Sequence, residues 1–147
     1  MQSLADSYLL PQKIGEVGTF YLPAGDGEVS FVDVRDIAAI AVHVLTNNDD
    51  GIHNGSAYNI TGPEALSFGD AARILSERAS KKISYISISE DDAHKEMKEI
   101  GYDEWRINFL LELYNIIRLG YLSEVDSPVK EITGKKDIIQ SICKRLC

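Results

Sequence analysis

The sequence predicts an α/β fold, and three observations carry that prediction. Short runs with β-type alternation and segments with helical spacing follow one another along the chain. Three of the helical segments open with a Ser or Asp followed three residues later by Asp, at Asp33–Asp36, Ser67–Asp70 and Ser89–Asp92. Two later ones stop at a glycine, Gly101 and Gly120.

Gly18–Ala24 (GTFYLPA) and Glu28–Val34 (EVSFVDV) read as strands joined by the GDG turn at Gly25–Gly27, where glycine supplies positive φ without a Cβ clash. The following RDIAAIAVHVLT places Ile37, Ile40, Ala41, Val44 and Leu45 at helical spacing. Ala38, Ala39 and Val42 fill much of the remaining circumference, so this helix is expected to be covered on more than one side. A polar, Gly- and Asn-rich loop leads to a short strand, Ala57–Thr61, ended by Gly62–Pro63.

Ser67 opens a helix to about Ala79 with Phe68, Ala71, Ala72, Leu75 and Ala79 on one face. Lys82–Ile88 alternates as a half-buried strand does. Glu90–Ile100 is a charged surface helix, and Asp103–Leu119 a longer one whose inward face is Ile107, Leu110, Leu111, Tyr114 and Ile117. Pro128 and Gly134 interrupt the tail before a short helix with Ile138, Ile139, Ile142 and Leu146 on one side.

Composition excludes several classes. The chain has 147 residues, 44% of them hydrophobic, enough for one domain with a real core. A net charge of −8 argues against a nucleic-acid partner, which needs a concentrated basic patch. No apolar run approaches the roughly 20 residues of a spanning helix, and the N-terminus lacks the pattern of a signal peptide, so a cytoplasmic protein without a membrane partner is expected. Cys143 and Cys147 alone complete neither a zinc site nor a disulfide framework. His43, His53 and His94 lie apart in sequence, and no metal site is expected. The paired carboxylates invite an acid–base role, but helix capping accounts for their spacing.

Taken in this order, the elements resemble the C-terminal half of the NmrA-like proteins, an atypical branch of the short-chain dehydrogenase/reductase superfamily, and within it the NAD(P)H:quinone oxidoreductase type. The residues that carry the resemblance are PAGDGEVSFVDVRDIAAIAVHVLT (Pro23–Thr46), AYNITGPEALSFGDAARILSE (Ala57–Glu77) and KISYISISEDD (Lys82–Asp92). DEWRINFLLELYNIIRLG (Asp103–Gly120) and EITG (Glu131–Gly134) follow in the family order. The tail departs from the family: KKDIIQSICKRLC follows Gly134, without the expected proline and Ser/Thr-Phe.

The resemblance implies one partial domain. Residues 1–80 would form the C-terminal portion of a Rossmann-like doubly wound sheet, and 81–147 a small α/β substrate-side lobe. In the family a glycine-rich turn at a helix N-terminus holds the dinucleotide pyrophosphate. Gly15, Gly18, Gly25 and Gly27 do not make that pattern, so NAD(P) is the family cofactor but little binding is expected of this chain alone. Met1, Gln2, Ser3 and Leu4 match the end of the family segment F-M-Q-N-L, with Ser3 in place of Asn. That match makes Met1, Gln2 and Ser3 the candidate cofactor-binding residues; because the PAGDG turn follows a strand near the pocket in relatives, the resemblance makes Gln2, Tyr21 and Pro23 the candidate substrate-pocket residues.

The superfamily's Tyr-x-x-x-Lys pair is missing, since Tyr8 is followed at that spacing by Gln12, and no catalytic residue is assigned. Three functions stay open: the substrate-side half of an NAD(P)H-dependent oxidoreductase, a dinucleotide-sensing regulator that does not turn over, or a truncated product without activity. The implied partner is a second copy, as a homodimer, or a separate N-terminal Rossmann half.

Overall fold

The computed structural model describes residues 18–46, 51–126 and 132, and its first paired element is a short parallel ladder. Strand β1 (Thr19–Leu22) lies beside β4 (Ser84–Ser87) in parallel, with Thr19 opposite Ser84 and Leu22 opposite Ser87. Parallel neighbours need a crossover. It contains β2 (Glu28–Val29), α1 (Val34–Thr46), β3 (Leu66–Ser67) and α2 (Phe68–Ala79). Helices α3 (Glu90–Glu99) and α4 (Glu104–Arg118) complete the order.

One core joins these elements. Phe20, Leu22 and Ala24 from β1 and its turn meet Phe68 and Ala72 of α2 and Leu110, Tyr114 and Ile117 of α4. Phe31 meets Phe68 edge-on at 5.8 Å between ring centroids. The core therefore crosses residue 80, because Tyr85 of β4 and Ile83 just before it pack against it. The predicted inward face of α4 is buried at Ile107, Leu110, Tyr114 and Ile117, with Leu111 half-buried.

Helix starts follow the sequence closely. Ser67 and Asp70 form a capping box: the Asp70 N–H donates to Ser67 Oγ at 3.1 Å, and the Ser67 N–H reaches the Asp70 carboxylate at 3.4 Å. Ser89 accepts from the Asp92 N–H at 3.1 Å. A further cap, Asp103, accepts from the Arg106 N–H at 2.8 Å and was not singled out in the sequence. Gly101 and Gly120 have φ of +90° and +80°, the left-handed stop that glycine adopts without strain.

Three expectations are corrected. The strand expected over 28–34 pairs only at Glu28–Val29, because the next residue changes partners: the Ser30 N–H donates to the Leu122 carbonyl at 2.9 Å and the Ser30 carbonyl accepts from Gly62 at 3.3 Å. Residues 57–61 join no ladder among the described residues; Thr61 instead exchanges bonds with Asp126, N–H to carbonyl at 3.3 Å and Asp126 N–H to Thr61 Oγ1 at 2.8 Å. Helix α1 is covered on one side only within the described residues, with Asp36 and Ile40 buried and Leu45 84% exposed. The final helix expected around Ile138–Leu146 lies outside the described residues.

Candidate site at the carboxyl ends of the parallel strands

Strands β1 and β4 run in the same direction and end together at Leu22 and Ser87. In open α/β sheets the crevice outside the carboxyl ends of the strands is where ligands sit. Three pieces converge there: the 23–27 turn after β1, the start of α3 at Glu90, and the end of α4 at Arg118.

The turn is fixed from several sides. Its Gly27 N–H donates to the Ala24 carbonyl at 3.1 Å, and the Ile88 N–H donates to the Leu22 carbonyl at 3.2 Å just below it. Gly25 has φ of +55°, and a Cβ there would touch the Arg118 side chain at 3.5 Å. Gly27 is tighter still, since a Cβ there would come within 2.5 Å of the Ile117 carbonyl oxygen. Arg118 donates to Glu90 at 2.5 Å and to Asn115 Oδ1 at 3.0 Å, tying the end of α4 to the start of α3 beside the turn.

Tyr85 supports the turn from beneath. Its single hydroxyl proton is shared between the Gly25 carbonyl at 3.0 Å and the Leu22 carbonyl at 3.2 Å. The ring lies 5.5 Å from Phe20 and 5.7 Å from Phe68, and burial pushes the phenol above its usual range. Sequence periodicity made Tyr85 an inward strand residue but gave no sign of its polar partners, which lie on the turn some sixty positions earlier.

Of the predicted site residues, Tyr21 is half-buried in β1 and Pro23 is one of the largest fully buried side chains. Tyr21 thus stands in the strand two residues before Pro23, and Pro23 opens the turn as part of its buried wall. Met1, Gln2 and Ser3 lie outside the described residues, as do Tyr8, Gln12, Cys143 and Cys147.

The Asp33 and Asp70 carboxylates are engaged in capping at their helix starts. Asp33 is buried and accepts from the Arg35 backbone N–H at 2.8 Å and from Arg35 Nε at 2.9 Å, with a second guanidinium contact to its other oxygen. The Arg35 guanidinium holds the Asp33 carboxyl below the usual carboxylate range. The expected partner, Asp36, instead donates its N–H to the Asp33 carbonyl at 2.9 Å. At Asp70, the Ser67 hydroxyl and N–H lower the carboxyl in the same sense.

Two histidines far apart in sequence come together. The His43 and His53 rings meet edge-on at 6.3 Å, and His53 Nδ1 lies 2.7 Å from the Tyr58 hydroxyl. His94 lies 3.1 Å from Glu104, which also accepts from Lys98 at 2.7 Å. Among the described residues no three His, Cys, Asp or Glu side chains form a metal-binding group. No described helix is long and apolar enough to cross a membrane.

The Gly25–Gly27 turn does not fit a dinucleotide phosphate cradle. Such a cradle needs a glycine loop opening onto a helix N-terminus. The Gly25–Gly27 turn leads into β2, and the space a Cβ would take at Gly27 belongs to helix α4.

No family model matches the chain. It is 40% identical over 124 residues to the NAD(P)H azoreductase of Xenophilus azovorans, a match spanning 84% of this chain and 42% of that protein. A solved triphenylmethane reductase from Citrobacter sp., complexed with NADP(H), superposes with a TM-score of 0.81 at 23% identity, over 97% of this chain and 50% of that one. An NADPH-dependent quinone oxidoreductase from Escherichia coli gives a TM-score of 0.77 at 23% identity, over 92% of this chain and 47% of its own. At that identity the two structures establish the fold. The chain spans about two fifths of the length of the curated relatives it matches.

Proposed function

Because this chain matches the C-terminal half of the NmrA-like reductases, an atypical branch of the short-chain dehydrogenase/reductase superfamily, we propose that it forms the substrate-side half of an NAD(P)H-dependent oxidoreductase. The observation that carries the reading is the identity to an NAD(P)H azoreductase along most of the chain, together with a turn placed at the carboxyl ends of two parallel strands. In this reading the dinucleotide phosphates are held by a nucleotide-binding segment outside these residues, on the same polypeptide or another. Tyr21 and the 23–27 turn face the acceptor side. Quinones and azo compounds are the acceptor classes to test, since relatives and structural neighbours are named for both.

The same reading assigns a partner. Helix α1 exposes Val42 and Leu45, 60% and 84% accessible, and residues 57–60 lack a ladder within the described chain. A neighbouring strand and an apolar face would satisfy both. The partner is a nucleotide-binding half, or a second copy when that half is missing.

The experiment compares the 147-residue chain alone with the same chain joined to the nucleotide-binding half of the Xenophilus azovorans azoreductase. NADPH fluorescence titration and acceptor-dependent NADPH oxidation are followed in each. Binding and oxidation are expected only in the joined protein. Dinucleotide binding with no oxidation of any quinone or azo acceptor turns the assignment to a sensing regulator. Saturable micromolar binding by the chain alone removes the division of labour altogether.

A further inference from the structure

The 23–27 turn follows β1 at the carboxyl ends of the parallel strands and belongs to no helix or strand. Its shape therefore depends on what holds its carbonyls. The Tyr85 hydroxyl reaches Gly25 and Leu22 carbonyls at 3.0 and 3.2 Å, one at each end of the Pro23–Ala24 segment. A phenol has only two side-chain torsions, and here the ring is clamped between Phe20 and Phe68. The hydroxyl is thus delivered at a fixed height above β4.

We propose that Tyr85 is a positioning residue for the acceptor: it holds the 23–27 turn in the form the acceptor meets, and it acts through Leu22 and Gly25 without touching the acceptor itself. This rests on the substrate-side reading given above. A purely structural tyrosine would contribute ring packing and nothing more. Removing the hydroxyl alone separates the two roles, because Phe keeps the ring against Phe20 and Phe68.

Tyr85→Phe is measured in two ways. In the chain alone, amide hydrogen exchange at Gly27 should quicken several-fold, up to about tenfold for one lost hydrogen bond, while Ile107 and Leu110 in α4 keep their rates. In the protein joined to the nucleotide-binding half, KM for the acceptor should rise about fivefold with kcat within about twofold, as loss of ground-state positioning requires. Unchanged exchange at Gly27 overturns the proposal, and so does faster exchange with unchanged KM. A joined wild type that reduces no acceptor overturns the substrate-side reading and this role with it; an active wild type whose KM ignores the substitution overturns this role alone.

Discussion

The Ser30 hydroxyl donates to the Glu124 carbonyl at 2.5 Å, across 94 positions of sequence. With the Ser30 N–H on Leu122 and the Thr61–Asp126 exchange, it stitches the segment after α4 onto the end of β2. Ser30→Ala should cost about 0.5–1.5 kcal/mol, the net worth of one such bond, because the exposed Glu124 regains water. Limited proteolysis should show earlier cleavage between Leu122 and Asp126. A variant cleaved at the wild-type rate would show that the other bonds suffice.

Gly27→Ala is expected to be much more damaging than its size suggests. The new methyl meets the Ile117 carbonyl, a backbone atom that moves only with helix α4. Overpacking of this kind costs about 1–3 kcal/mol. Gly55→Ala is the control: nothing lies within 4 Å, so only its φ of +73° is penalised, at about 1–2 kcal/mol. Equal shifts in urea midpoint for the two variants, with α4 unmoved, would refute the close-approach explanation at Gly27.

Asp33 should shape the acid limb of stability. Its folded-state pKa lies below the unfolded value of about 3.9, because Arg35 stabilises the charged form. The stabilisation is fully present above about pH 4 and is lost as pH falls through the lower folded value. Asp33→Asn should therefore lower the melting temperature near neutrality and flatten its fall below about pH 4. An acid limb identical to wild type would remove Asp33 from the account.

Ser67→Ala opens the capping box of α2, with an expected loss of about 0.5–2 kcal/mol. Asp70 then loses the Ser67 hydroxyl that does most to stabilise its charged form, so its pKa should move back up toward the ordinary range. NMR titration of the Asp70 carboxyl checks this directly. No change there would mean that the backbone and Arg73 govern Asp70.

The exposed side of α1 should drive association in the absence of a nucleotide-binding half. Sedimentation at roughly tens of micromolar, where apolar patches of this kind associate, should show species above the monomer, and Val42→Lys with Leu45→Lys should abolish them. A compact wild-type monomer under those conditions contradicts the partner assignment.

Local signals were the legible ones. Ser67, Ser89, Gly101 and Gly120 act within one turn of chain, so the sequence spacing alone located the ends of α2, α3 and α4. Long-range pairings left no such mark. Nothing in KISYISI states that it lies parallel to TFYL, and the change of partner at Ser30 depends on Leu122 and Gly62. The composition of α1 announced cover on several sides, but cover is a property of neighbours, and only one side has them within the described residues. At the candidate site the sequence pointed to Tyr21 and Pro23 through resemblance. The polar roles of Tyr85 and Arg118 were not legible because their partners, the Leu22 and Gly25 carbonyls and Glu90, become neighbours only in the fold.

The parallel partnership of Thr19 with Ser84 also sets an order of events during synthesis. A ribosome adding about 5–20 residues per second exposes β1 roughly 3–13 s before β4 leaves the same tunnel. Through that interval the edge of TFYL that β4 will take lacks that strand, while α1 and α2 can already form from local contacts. The nascent chain is thus open to chaperones, and to mispairing with neighbouring nascent copies, until Ser87 leaves the tunnel.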